Sequence, residues 1–203
     1  MPPEFTGAAL EDALRATGAL LEGHFLLSSG LHSPRYIQCA RLLQHPALAE
    51  RAGRSLAELF ANLEPAAVLS PALGGVIIGQ EVGRALGVRA MFAERDGSTL
   101  ALRRGFELEA DEPVLLIEDV VTTGKSILEL ADLVRRLGAR PVGFGAIVDR
   151  TGGSAGPAGP ITVRALLALE VPRYAPEDCP GCRTGSKAVK PGSRPIAEPH
   201  KTA

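Results

Sequence analysis

The sequence predicts an α/β protein: a central parallel twisted sheet flanked by helices, a small N-terminal hood and an extended C-terminal tail. Three observations point there. Apolar runs at Ala67 to Leu69, Val88 to Phe92, Val114 to Ile117 and Val142 to Val148 are separated by helical or loop segments, which implies parallel strands joined by right-handed crossovers. The run Val114 to Ile117 is continuously apolar, as expected of a strand buried on both faces. At 203 residues and 21.2 kDa, the chain suits one such domain with a small appendage.

Taken in order, Thr6 can cap a first helix to about Thr17, with Leu10, Ala13 and Leu14 on one face. Phe25 to Leu27 and Tyr36 to Gln38 are two short strands around a Ser-Ser-Gly turn, forming the hood. Pro46 opens a helix to about Ala61. Glu94 to Gly105 joins two strands, and the alternation in Ser98 to Leu102 suits a hairpin with Gly97 and Gly105 as hinges. Ile127, Leu128, Leu130, Ala131, Val134 and Leu137 recur at helical spacing, with Gly138 as the stop. Thr151 to Pro160 is a glycine-rich surface loop. From Val171 onward six prolines and no periodicity predict an extended tail. The expected domains are 1–45 (helix and hood), 46–170 (α/β core) and 171–203 (tail).

A net charge of -1 gives no overall basic field, so nucleic acid is not an expected partner. No apolar run is long enough to span a bilayer, and Met1-Pro2-Pro3-Glu4 lacks the charged start and apolar core of a secretion signal. The expectation is a cytoplasmic protein without a membrane partner. Three cysteines do not make a disulfide framework. Cys179-Pro180-Gly181-Cys182 has the spacing of half a zinc site, but a structural site needs four ligands and no second pair follows. Cys39, His200 or a second subunit are the remaining sources; the expectation is reduced thiols and no metal ligands.

The chemistry is concentrated in Val114 to Ser126, VLLIEDVVTTGKS. Strand, turn and helix follow one another, so the first helical turn presents N–H groups without internal partners and partial positive charge. A phosphate dianion satisfies both. Thr122, Thr123 and Ser126 add hydroxyl donors, and Gly124 admits the backbone close to the oxygens. Glu118 and Asp119 stand one step earlier, where carboxylates suit the cis hydroxyls of a ribose. The segment therefore predicts a ribose 5-phosphate site. The nucleotide triphosphate loop is excluded, because its pattern needs glycine where Asp119 stands.

This string closely resembles the phosphoribosyl pyrophosphate (PRPP) motif of type I phosphoribosyltransferases: hydrophobic strand, two acids, two small or apolar residues, then T-T-G-x-S. Phe25 to Pro34 followed by Tyr36 resembles the base-covering segment of orotate phosphoribosyltransferases, Ser70-Pro71-Ala72-Leu73-Gly74-Gly75 their pyrophosphate loop, and Asp149-Arg150 the strand end that carries a base-binding arginine. The likeness runs from about Phe25 to Arg150.

The resemblance implies a type I phosphoribosyltransferase-like fold and transfer of ribose 5-phosphate from PRPP to orotate, giving orotidine 5′-monophosphate and pyrophosphate with Mg²⁺ as cofactor. It assigns PRPP to Glu118, Asp119, Val120, Val121, Thr122, Thr123, Gly124, Lys125 and Ser126, with Gly74 and Gly75. Orotate falls to Thr122, Arg150, Tyr36 and Ser28. Arg95, Arg103 and Arg104 become catalytic cations of a mobile lid that reaches the neighbouring site of a homodimer. Better-known members carry lysines where Ser28 and Gly74 stand and a lysine and histidine in the lid, so the pyrophosphate grip here differs. Backbone N–H groups of Gly74 and Gly75 can replace one lysine, and arginines the lid cations. A purine or uracil phosphoribosyltransferase, or a PRPP-binding regulator, remains as an alternative.

Overall fold

The run Val114 to Ile117 lies fully buried inside a six-stranded sheet. In chain order the elements are α1 (Gly7–Ala16), β1 (Leu20–Leu26), β2 (His32–Ile37), α2 (Ala40–Leu43), α3 (Pro46–Phe60), β3 (Ala67–Pro71), α4 (Gly74–Leu86), β4 (Arg89–Asp96), β5 (Thr99–Leu102), β6 (Pro113–Val121), α5 (Lys125–Arg136), β7 (Arg140–Asp149), β8 (Val163–Ala168) and α6 (Pro180–Arg183). The structure is a computed structural model that describes residues 4–27, 29–151 and 163–191. These fall into two units, one drawn from Met1–Ala19 and Cys39–Glu170, the other from Leu20–Gln38 and Val171–Ala203. Helix α1 thus groups with the core, whereas the sequence places it with the hood.

In the larger unit the sheet order is β5-β4-β3-β6-β7-β8. Every pairing is parallel except β4 with β5, the hairpin that the Ser98 to Leu102 alternation anticipates. Strand β6 runs four residues past the apolar run because β7 continues beside it: Glu118 pairs with Ala146, Val120 with Val148 and Val121 with Asp149. The ladder slips between Val114 and Leu115, opposite Pro141, which has no N–H to donate. Strand β8 has no counterpart in the sequence expectations. Its Arg164 interrupts the apolar pattern, yet the guanidinium donates to the Leu59 carbonyl and lies over the Phe60 ring at 5.4 Å.

Helix α5 buries Ile127, Leu130, Ala131 and Val134 completely, which at about 25 cal/mol per Å² of apolar area is its main source of stability. Leu128 and Leu137, expected on the same face, stay 41% and 43% exposed. The apolar stripe is narrower than the hydrophobic residues that could fill it.

The smaller unit is built on the antiparallel hairpin β1–β2. The tail, expected to be merely extended, adds short pairings to it. His32 and Tyr174 exchange backbone hydrogen bonds of 2.8 and 2.9 Å, and Leu26 donates to Val189 (2.9 Å) while Val189 donates to His24 (2.8 Å). The cysteine pair, for which the sequence offers no second pair downstream, lies with two histidines: His24, His32, Cys179 and Cys182 form one cluster. The two histidines precede the cysteines by some 150 residues, where spacing rules do not look. Cys39 belongs instead to the larger unit, buried, with its thiol towards the Asp119 carbonyl at 3.9 Å. His200, Ser28 and residues 152–160 of the glycine-rich loop lie outside the described residues.

Candidate active site

The carboxyl end of β6 delivers the chain into the turn Thr122 to Gly124. Gly124 occupies the N-cap of α5 with φ 77°, a left-handed conformation that glycine adopts without steric cost. It has no side chain with which to cap the helix. Among the first-turn donors, Lys125 N–H meets Thr123 Oγ1 at a long 3.4 Å. Thr122, Thr123 and Lys125 are exposed and Ser126 is half-buried. The result is an open, donor-rich helix end, to which an anion is electrostatically suited.

Glu118 and Asp119 close the other side of this turn. Burial pushes the Glu118 carboxyl up to about 7, and the neighbouring Asp119 charge adds to the effect; hydrogen bonding to Ser126 opposes it. Burial also raises Asp119, against the Val120 N–H, which donates to its Oδ1 at 2.9 Å. Both acids therefore lack the solvation that carboxylates normally have, and hydroxyl donors or a cation would restore it.

Strand β3 lies beside β6 in parallel register, Ala67 to Val114 and Leu69 to Leu116, so the loop after β3 opens next to the acids. Its helix α4 begins at Gly74, where a Cβ would fall 2.8 Å from Asp119 Oδ1. A side chain there would require the Asp119 carboxylate to shift, and glycine lets the two stay in close approach. Gly75 is as tightly held, since a Cβ would sit 2.9 Å from the Pro71 ring. Leu73, at the N-cap of α4, offers no side-chain cap. Two uncapped helix ends and two acids thus meet at the carboxyl ends of adjacent strands, the usual ligand position in parallel sheets.

The arginines of the β4–β5 hairpin are all engaged by acids. Arg95 pairs with Glu129 of α5 at 2.6 Å, Arg103 with Asp96 at 2.9 Å and Arg104 with Glu94 through two hydrogen bonds of 2.8 and 2.9 Å. The Arg104 guanidinium also lies 5.5 Å from the Phe92 ring centroid, and its bonds hold the Glu94 carboxyl below its usual range. Arg95 is close enough to α5 to lower Glu118 slightly. Glu129, which also approaches Lys125 at 3.8 Å, was not singled out in the sequence. The four-residue spacing from Lys125 is its only local signal.

Arg150 follows β7, its N–H donating to the Val121 carbonyl at 2.9 Å, which fixes its backbone beside the end of β6. The Asp149 carboxylate accepts from Thr151 N–H and Oγ1 at 2.8 and 2.6 Å. Tyr36 lies in the smaller unit, its ring 5.9 Å from that of Phe25. Ser70, buried beneath the loop with its hydroxyl unpartnered, was noted in the sequence only as part of the pyrophosphate loop. It fits because Gly79 has no side chain in its way.

A phosphoribosyl transferase domain matches residues 38–163, which spans this whole arrangement from β3 to β7. The chain is 52% identical over 180 residues to the orotate phosphoribosyltransferase of Pelotomaculum thermopropionicum, covering 89% of this chain and 94% of that one. The crystal structure of orotate phosphoribosyltransferase from Aeropyrum pernix superposes with TM-score 0.67 at 26% identity, over 79% of this chain and 93% of that one. The Mycobacterium tuberculosis orotate phosphoribosyltransferase in complex with PRPP gives TM-score 0.57 at 26% identity, over 66% and 81%. The fold and site define a phosphoribosyltransferase, and the chain belongs to that family, in its orotate phosphoribosyltransferase branch.

Proposed function

We propose that this chain transfers ribose 5-phosphate from PRPP to N1 of orotate, releasing pyrophosphate and forming orotidine 5′-monophosphate. The observation that carries this reading is the open end of α5 with Glu118 and Asp119 at its mouth. In this reading Thr122 to Ser126 hold the 5-phosphate through backbone N–H and hydroxyl groups, with Val120 and Val121 as the strand end that aims them. Glu118 and Asp119 accept the two ribose hydroxyls. Gly74 and Gly75 face the pyrophosphate with backbone N–H groups in place of a side-chain cation.

Arg150 clamps the orotate carboxylate in paired hydrogen bonds that lysine could not reproduce, with Thr122 beside it; Tyr36 and Ser28 are assigned to the base by the family resemblance alone. As the bond to pyrophosphate breaks, the ribose carbon becomes cation-like and negative charge gathers on the leaving group. Orotate brings its own partly activated ring nitrogen, so the chain need not supply a strong base. Its contribution is position and charge: Arg95, Arg103 and Arg104 exchange their present carboxylates for phosphate oxygens when the hairpin closes.

Two poorly solvated carboxylates beside a diphosphate position are hard oxygen donors suited to Mg²⁺, which needs few protein ligands when substrate oxygens supply the rest. When bound, Mg²⁺ would offset charge on the leaving pyrophosphate. A homodimer in which the hairpin serves the neighbouring site, and a cytoplasmic location, complete the proposal. Among the described residues no helix is long and apolar enough to cross a membrane. The orotate branch of the family does not favour a purine or uracil base, or a non-catalytic role.

The test is direct. The chain is incubated with PRPP, Mg²⁺ and, in separate reactions, orotate, uracil, adenine or hypoxanthine, and pyrophosphate release is followed. Release with orotate alone is expected; release only with another base, or with none, overturns the assignment.

A further inference from the structure

We propose that the smaller unit holds a structural zinc ion, ligated by His24 Nε2, His32 Nδ1, Cys179 Sγ and Cys182 Sγ. The four ligand atoms all lie within 4.8 Å of one another. Individual separations are 2.8 Å between the two nitrogens, 3.3 and 3.8 Å from His24 Nε2 to the two sulfurs, and 3.2 Å from His32 Nδ1 to Cys182 Sγ. Zinc bonds of about 2.3 Å to sulfur and about 2.0 Å to nitrogen place tetrahedral ligand atoms about 3.3 to 3.8 Å apart. The cluster brackets that spacing, and two sulfurs with two imidazoles form a familiar structural donor set for zinc.

Three features around the cluster belong to a built site rather than a chance meeting of side chains. His24 Nδ1 lies 3.0 Å from the Ser186 carbonyl, which selects the tautomer with its proton on Nδ1 and leaves the Nε2 lone pair facing the cysteines. Such a carbonyl contact is the usual way an imidazole ligand is oriented. Gly181, between the cysteines, packs directly on the His24 ring: a Cβ there would stand 2.8 Å from the ring's Cγ and Nδ1. The glycine of Cys-Pro-Gly-Cys therefore makes room for a ligand. Cys179 stands at the N-cap position of the short helix α6 while Cys182 lies within it, so one helical turn presents both sulfurs to one point.

The site also answers a question of stability. The smaller unit has only about 40 described residues, a size at which apolar burial alone seldom suffices and metals or disulfides are usual. Its backbone pairings with the tail are short, His32 with Tyr174 and Val189 with Leu26 and His24. A zinc ion would tie β1, β2 and α6 together, joining segments some 150 residues apart in the chain. Its binding energy would act as folding energy for this unit.

The full-length chain, purified under reducing conditions without added chelator, is expected to carry one zinc per chain by elemental analysis. Apo-protein prepared with a strong chelator is then titrated with Co²⁺. The expected result is the visible spectrum of a tetrahedral site with thiolate charge transfer, saturating at one equivalent. Cys182→Ser should lose much of the charge-transfer intensity, Cys39→Ser should keep it, and removal of zinc should lower Tm by several degrees. Metal-free purified protein whose reduced apo form gives no tetrahedral cobalt spectrum would overturn the proposal, and so would a spectrum lost in Cys39→Ser but kept in Cys182→Ser. The titration of the unmutated chain decides the matter even if Cys182→Ser does not fold.

Discussion

The junction of β6 with α5 and the hairpin β4–β5 are both candidate anion-binding regions, yet they are prepared in opposite ways. At the junction the donors are backbone N–H groups fixed by a helix, and Gly124 leaves them uncapped. On the hairpin the donors are long arginine side chains, each already held by a carboxylate: Glu129, Asp96 or Glu94. Backbone groups cannot reach elsewhere for a partner, so they stay poised; flexible cations find the nearest acid. One region is preorganised, and under the proposed function the other exchanges partners when substrate arrives.

The sharpest way to break this contrast is at the junction. Asp119→Asn retains shape but removes the charge that suits two hydroxyls, and it should lower turnover with PRPP and orotate about 100-fold, the cost typical of a lost transition-state contact. Unchanged steady-state kinetics would remove the ribose-grip role and with it the claim of a preformed site.

A second effect concerns the cost of that preorganisation. Glu118 titrates near 7 in the fold against an ordinary 4.5, so between those values the folded chain keeps a proton that the unfolded chain has lost. Stability from this group is complete below the unfolded value and falls as pH rises through the folded one. Unliganded protein should therefore be less stable at pH 8 than at pH 5 by on the order of 2 kcal/mol from this side chain. Glu118→Gln should flatten that part of the pH profile in chemical denaturation; an unaltered slope would contradict it.

The smallest effect belongs to the hairpin. Glu94→Gln releases Arg104 from an exposed pair, and such pairs are weakly held in water. KM for PRPP should fall modestly, within about threefold, because less must be exchanged on closing. A marked rise in KM would mean that Glu94 positions the arginine rather than restraining it.

Local pattern was enough for several of these features. Val114 to Ile117 declares a buried strand, Ile127 to Val134 a helix, and the residues between them a cradle, because each depends on neighbours within a few positions. The β4–β5 hairpin was visible in the alternation of Ser98 to Leu102. What Arg95 would meet was not, since Glu129 lies 34 residues away on another element and no local rule connects them. Leu128 shows a subtler limit: its spacing fits the helix, but whether its side chain faces the sheet depends on how the helix is rolled against that sheet.

Sequence by itself determined the α/β class, the strand-turn-helix proposed to cradle a phosphate and the acids beside it, because short-range periodicity and backbone geometry are written into consecutive residues. Tertiary structure alone decided that β6 would extend through Glu118 and Asp119, that Gly74 would abut Asp119, and that His24 and His32 would meet Cys179 and Cys182. Those outcomes rest on strand register and on contacts between distant segments, which depend on how the whole chain packs and not on any window of it.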